Sequence, residues 1–333
     1  MRILTLIILT HALVASTPSQ IASNVLDILQ KYQITKDIDK EGIKQSSKTP
    51  KTEPPSSKTL QKKISIFAKE MKPLKFLLVG FPFKSANTEK KVLGNLPDMA
   101  ERKSLEYLNG CIKELNAVYP YGVELIIFCD GIPFAKYLGI SERTVKDYER
   151  ELQKLASDMP NIKIITSDVL QCQLNLYSSE RICSFIDNFP PSNEQFHIQL
   201  ESEQALQEGY KTLLSRLAVE FDSKIGREFL AKNGPLPKIA EALMAREMRL
   251  RRFIEGHFDS EACIRLTVHY SKDAGKKFGI KLSPDSCITP YHGVLVEDKG
   301  SWHILMLKDI DPQFFEEVSS VVNGVQCRYM RHK

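Results

Sequence analysis

The stretch Phe76-Leu77-Leu78-Val79-Gly80-Phe81-Pro82-Phe83-Lys84-Ser85-Ala86-Asn87 decides the fold class. Its apolar run reads as a strand, Phe76 to Phe81. Gly80 and Pro82 break that run into a loop carrying a cation, a hydroxyl and an amide. Outward from it the pattern alternates: a helix over 98–118, a strand over 124–130, a helix over 141–157 and a strand over 162–166. Such alternation predicts a parallel sheet of the Rossmann-like kind. Two long amphipathic helices follow, over 204–221 and 237–257, the second entered through Gly234-Pro235-Leu236-Pro237. The remainder reads as strands over 262–270, 293–297 and 302–307, then a short helix from Pro312. The expected fold class is therefore α/β, a Rossmann-like, mainly parallel sheet with a helical insertion and a C-terminal mixed β/α part.

Upstream, residues 21–39 hold an amphipathic helix, and 40–62 are Lys, Ser, Thr and Pro rich with little to bury, which predicts a disordered linker. Residues 63–333 then form one catalytic domain. The start, Met1-Arg2 followed by Ile3 to Ser16, has the outline of a secretory signal within a 1–20 segment, or of an extra N-terminal helix. It is too short to span a bilayer, so no membrane partner is expected.

With 42% hydrophobic and 26% charged residues among 333, the chain has ordinary globular composition. The net charge of +5 is spread among many acidic groups, and no Lys/Arg stripe interleaves with aromatics, which argues against nucleic acid. Seven cysteines, odd in number and scattered, read as free thiols of a reducing, cytoplasmic compartment.

Ligands of open α/β sheets collect beyond the carboxyl ends of the strands. After the first strand come Lys84, Ser85, Asn87 and Lys90; after the second comes Asp130, before Gly131. Solvated loop charge is the competing reading of the lysines, and turn formation that of Asp130. Asp98 and Glu101 fit a helix cap and its capping-box partner. On the helix from Pro237, Arg246 falls within the apolar stripe of Ile239, Leu243, Leu250 and Phe253, where it must snorkel or meet a buried anion. Arg249, Arg251 and Arg252 lie off that stripe and read as surface charge. Strand alternation puts Arg265 and His269 on one face, about 13 Å apart, as the floor of an anion pocket or as one side of an ordinary half-exposed strand. Lys272, Lys276 and Lys277 compete for one role in the next loop. His292 opens the following strand and would neighbour His269 if the two strands pair, which suggests proton transfer beside an anion. No Walker A, G-x-G-x-x-G, G-x-S-x-G or His-Glu-x-x-His motif is present, and no metal-ligand spacing. The residues alone describe an enzyme acting on phosphorylated or carboxylated small molecules.

In their order, Gly80-Phe81-Pro82-Phe83-Lys84-Ser85 with Asn87 and Lys90, Leu96-Pro97-Asp98 with Glu101, Asp130-Gly131, Asp147-Tyr148, Arg246, Ile264-Arg265-Leu266-Thr267-Val268-His269 and Thr289-Pro290-Tyr291-His292-Gly293 resemble the pyoverdine/dityrosine biosynthesis family, which includes isocyanide synthases. The resemblance covers roughly residues 70 to 310. Thr267 and Tyr291 stand where the family is associated with Ser and often Trp. The resemblance implies condensation of the amine of tyrosine or tryptophan with the ketone of ribulose 5-phosphate, whose ketone carbon becomes the isocyanide carbon, without metal or redox cofactor. It also implies anion-holding roles for Lys84, Arg246 and Arg265, with Ser85, Asn87, Lys90 and Lys276 as further binding candidates. His269 and His292 would move protons and Asp130 would orient the amine. An iron- and 2-oxoglutarate-dependent oxygenase is implied as pathway partner. Two alternatives remain: synthesis of N-formyl-tyrosine for a dityrosine wall layer, and a non-catalytic sugar-phosphate sensor.

Overall fold

The computed structural model describes residues 16–34, 57–258, 262–269, 276–284 and 288–333. The signal-like start up to residue 15 and residues 35–56 of the expected helix tail and linker lie outside them. Two helices come first, α1 (Pro18–Lys31) and α2 (Ser57–Lys69). Residues 57–62, expected as linker, belong to α2, because Leu60 and Ile64 find an apolar partner in α1 and are buried with it.

The chain then alternates through β1 (Leu74–Val79), α3 (Met99–Val118), β2 (Val123–Phe128), α4 (Gly131–Ala135), α5 (Glu142–Leu155) and β3 (Ile162–Ile165). The helical insertion comprises α6 (Ser167–Leu174), α7 (Ser179–Asp187), α8 (Asn193–Ser202), α9 (Gln204–Glu220), α10 (Lys224–Asn233) and α11 (Leu236–His257). It returns the chain to β4 (Ile264–Thr267) and the two-residue β5 (Phe278–Gly279). These five strands form a parallel sheet in the order β3-β2-β1-β4-β5.

Sheet faces explain the apolar run that fixes β1. Phe76 and Leu78 join the core made with α1, α3 and α5, while Leu77 points into a second core with Ile182, Ile186, Leu250 and Phe253 of α7 and α11. Covered on both faces, the strand needs no polar alternation. At the head of α3, Asp98 accepts from Ala100 N at 2.8 Å while Glu101 reaches back to Asp98 N at 2.9 Å, the expected capping box.

The C-terminal part is a four-stranded mixed sheet, β7-β6-β9-β8, built from β6 (Val294–Asp298), β7 (Ser301–Leu305), β8 (Phe315–Val322) and β9 (Val325–His332). The helix expected from Pro312 is absent, and the residues after it form β8. Asn323 and Gly324 both have positive φ, 51° and 78°, and make a two-residue turn that pairs Val322 with Val325. That turn favours a hairpin, in which β-branched Val318, Val321 and Val322 are at ease. Strands β4 and β6 belong to different sheets, so His269 and His292 are not brought together by strand pairing.

Candidate active site

From β1 the chain turns first toward β2 and β3, and only after the helical insertion does it reach β4 on the other side of β1. The loops beyond β1 and β4 therefore diverge and leave a crevice at the carboxyl end of the sheet. A pocket occupies that crevice. Val79, Gly80 and Pro82 line it from β1 and its loop, Asp130 from the end of β2, and residues 265–269 from β4 and beyond. Glu247, Leu250, Arg251 and Ile254 approach from α11, Lys277 from just before β5, and Tyr291 from the turn before β6.

Arg265 is 7% exposed, and its Nε and Nη1 have no hydrogen-bond partner among the described residues. Burial pulls its pKa down, yet a guanidinium stays charged. Buried guanidinium donors without partners are costly, and a bound anion would relieve that cost. Lys277 lies in the same pocket and is pushed down to about 8 by burial and by Arg251 and Arg265. Asp130 has a buried Oδ1 with no partner among the described residues. Its carboxyl is pushed up to about 7, chiefly by burial, against a hydrogen bond to its own backbone and with repulsion from Glu247 adding to the rise. A group titrating there can take and return a proton near neutral pH. His269 is exposed at the same pocket.

Close backbone packing sets the position of Asp130. A Cβ on Gly131 would lie 2.1 Å from the Pro82 carbonyl oxygen, so only glycine lets the β1 loop come this near. In that loop Phe81 is buried with φ 56°, in the left-handed region that disfavours an aromatic residue, and its ring meets Tyr291 edge-on at 5.8 Å.

Several residues expected to bind anions are paired within the fold. The Lys84 ammonium is fully buried, 2.6 Å from Glu101, 3.1 Å from Asp98 and 2.9 Å from the Pro290 carbonyl. Burial opposes its charge, but Asp98 and Glu101 outweigh that and hold its pKa above the ordinary lysine value. Ser85 donates to Glu220 at 2.6 Å, and Asn87 donates to the carbonyls of Val219 and Asp222. Lys90 pairs with Asp222 at the surface. All four thus tie the β1 loop to α3 or to α9 and its end. Arg246, 1% exposed, donates to Asp187 at 2.7 Å and to the Cys183 carbonyl at 3.2 Å. Arg249, expected at the surface, is buried and pairs with the same Asp187. Arg251, expected as surface charge, is exposed and pairs with Glu247 at 3.2 Å, and it also borders the pocket, because the polar flank of α11 turns toward the crevice. Of the loop lysines, Lys272 lies outside the described residues, Lys276 is exposed, and Lys277 lines the pocket.

His292 ends a 3-10 turn, Pro290–His292, one residue beyond Tyr291. Its Nδ1 lies 3.2 Å from Lys91 Nζ, which in turn donates to Glu220 at 2.8 Å. Neither Lys91 nor Glu220 stands out in the sequence. Glu220 ends a mostly exposed amphipathic helix and Lys91 follows another lysine, so only their burial marks them. Among the described residues no group of three or more His, Cys, Asp or Glu side chains is arranged to hold a metal ion, and no helix is long and apolar enough to cross a membrane.

A family model described as pyoverdine/dityrosine biosynthesis protein matches residues 64–318. Over 266 residues the chain is 29% identical to an L-tyrosine isonitrile synthase of Xenorhabdus nematophila, covering 74% of this chain and 75% of that protein. It is 24% identical over 257 residues to an L-tryptophan isonitrile synthase of Fischerella ambigua, covering 75% and 78%. The crystal structure of the PvcA protein from Pseudomonas aeruginosa shares the fold, with a TM-score of 0.79 at 20% identity, covering 94% of this chain and all of that one.

Proposed function

Because the chain belongs to the pyoverdine/dityrosine biosynthesis family, we propose that it is an isocyanide synthase, converting the amine of tyrosine or tryptophan to an isonitrile with ribulose 5-phosphate as the one-carbon donor. Relatives matched along three quarters of this chain carry isonitrile synthase names. The observation that carries the reading in this molecule is the pocket lined by Arg265, two of whose donors have no partner among the described residues, together with Arg251, Lys277 and Asp130.

Both substrates are anions at one end, a carboxylate and a phosphate, and fixed cations in a half-dry crevice suit both. The amine must lose a proton before it attacks the ketone; Asp130 is poised to take it, and the carbinolamine then loses water to give the imine. Arg265 and Arg251 would also stabilise charge gathering on the departing phosphate. His269 and His292 are the remaining candidates for proton movements at the sugar oxygens. A cytoplasmic location suits a sugar-phosphate donor. An iron- and 2-oxoglutarate-dependent oxygenase acting on the isonitrile is the proposed pathway partner.

The test is mass spectrometry of purified protein incubated with tyrosine or tryptophan and ribulose 5-phosphate labelled at the ketone carbon. A labelled isonitrile, trapped by a tetrazine, is the expected product and names the amino acid. A labelled formamide formed without a trappable isonitrile would replace the reading with N-formyl-amino-acid synthesis. Binding of the sugar phosphate with no product from either amino acid would favour a sensor.

A further inference from the structure

At the edge of the pocket, one residue past its lining Tyr291, three side chains from distant segments meet: Lys91 from the β1 loop, Glu220 from the end of α9 and His292 from the turn before β6. Lys91 and Glu220 are 5% and 6% exposed, while the His292 side chain is half-buried. Glu220 Oε1 accepts from Ser85 Oγ at 2.6 Å and from Ala86 N at 3.0 Å, and its Oε2 accepts from Lys91 at 2.8 Å. Burial works against the Glu220 charge, but Lys91, His292 and Ser85 outweigh it and hold the carboxyl below the usual range. With Glu220 a carboxylate, Lys91 beside it is its ammonium.

An ammonium has three hydrogens and no lone pair. Its 3.2 Å contact with His292 Nδ1 is therefore a hydrogen bond in one direction only, from Lys91 to the ring. Nδ1 must be bare, and the single proton of the neutral ring sits on Nε2. Protonating Nδ1 would set an N–H against the ammonium. Burial and then Lys91 disfavour the imidazolium; Glu220, 3.9 Å from Nδ1, favours it; Arg216 and His269 add to the disfavour. The balance is downward.

We propose that Lys91, anchored by Glu220, fixes His292 as the neutral Nε2-protonated imidazole, so that His292 offers substrates a hydrogen-bond donor and not a base. Nδ1 is occupied by Lys91, and Nε2 is the ring nitrogen left for substrate. The inference rests on the reading above and sharpens it: His292 polarises a carbonyl or steadies an alkoxide oxygen of the sugar, and proton abstraction falls to Asp130 or His269. Lys91 and Glu220 are positioning residues, acting through the ring.

Nitrogen-15 NMR of the substrate-free protein tests this, with His292→Gln identifying the resonance. In the wild type the ring should show a bare Nδ1 and a protonated Nε2, without titrating, from about pH 5.5 to 8, a range within which an unperturbed histidine would charge. Lys91→Met removes the cation and leaves Glu220 in place, so the titration midpoint should rise by at least about one pH unit and the tautomers should mix. Lys91→Arg, which keeps a charged donor, should retain the wild-type tautomer. A protonated Nδ1 in the wild type overturns the proposal even if Lys91→Met fails to fold, and so does an unmoved midpoint in a folded Lys91→Met. No substrate is present, so this result is independent of the labelled-sugar assay.

Discussion

Lys84 and Arg265 are both buried cations, and the surroundings of each predict opposite responses to substitution. Lys84 neutralises Glu101 and Asp98 in a dry site. Lys84→Met should lower unfolding free energy by about 3–5 kcal/mol, measured by urea denaturation, because it strands two carboxylates. Arg265 has two donors unpaired among the described residues, so Arg265→Gln should leave stability unchanged or raised. If a substrate anion takes both donors at about 1.5 kcal/mol each, KM should rise by about 100-fold. A large stability loss in Arg265→Gln would show that it serves the scaffold instead. Asp130 makes a pH prediction. If it acts as the base, activity should rise with pH through about 7, its raised pKa. Asp130→Asn should abolish that limb and lower kcat by about 10²–10⁴-fold. The same shift has a stability sign. The folded state holds this proton more tightly than the unfolded chain, so the stability gained from it is complete below 3.8 and lost as pH rises to about 7. Sequence alone could not separate these cations, since Lys84 and Arg265 each follow or sit in an apolar strand. The difference is whether a distant segment supplies the counter-charge.

Among elements, the strands of the parallel sheet were the most legible, since β1, β2 and β3 are apolar runs closed by turn residues. The strand β4 was legible too, through the alternation that sets Arg265 apart from Ile264 and Leu266. The hairpin of β8 and β9 was not, because Pro312 followed by Glu316 and Glu317 imitates a helix start. Asn323-Gly324, a two-residue hairpin signal, was the clue that outweighs it. On α11 the periodicity located the buried stripe correctly and left Arg251 exposed off it, but periodicity does not say which polar flank meets the sheet edge, so it could not show that Arg251 borders the pocket. Glycines give a test at this scale. Gly131→Ala puts a methyl 2.1 Å from Pro82 O and 2.8 Å from Val145 Cγ1, so the backbone must move. It should cost about 1–3 kcal/mol and lower kcat/KM by displacing Asp130. Gly256, within α11 with open space where a Cβ would sit, is the control. Gly256→Ala should gain about 0.5–1 kcal/mol in thermal or urea unfolding at unchanged activity.

For the whole molecule, the N-terminal helix is part of the main core. Ile21, Val25, Leu26, Ile28 and Leu29 of α1 are buried in one cluster with Leu60 and Ile64 of α2 and Leu105, Leu108 and Ile112 of α3. Past the helix, Ile34 N donates to the Gly279 carbonyl at 3.0 Å, and Lys281 N donates to that of Tyr32 at 2.8 Å, so the segment also closes the β5 edge of the sheet. Composition marks residues 40–62 as a break, and a reading by composition sets α1 apart from the catalytic domain. The contacts that join them span distances in sequence that no local pattern reports. Burying five such side chains contributes on the order of 10 kcal/mol at about 1.5–3 kcal/mol each, as much as the net stability of a typical domain. A chain beginning after residue 34 should therefore fail to give folded protein or should melt far below the full chain. One beginning at Ser16 keeps the Thr17 cap, whose hydroxyl accepts from Gln20 N at 3.2 Å, and all of α1. It should match the full chain in melting temperature and activity by calorimetry and turnover. Equal stability of the chain lacking α1 would show that the segment is dispensable to the fold and that the sheet edge closes without it.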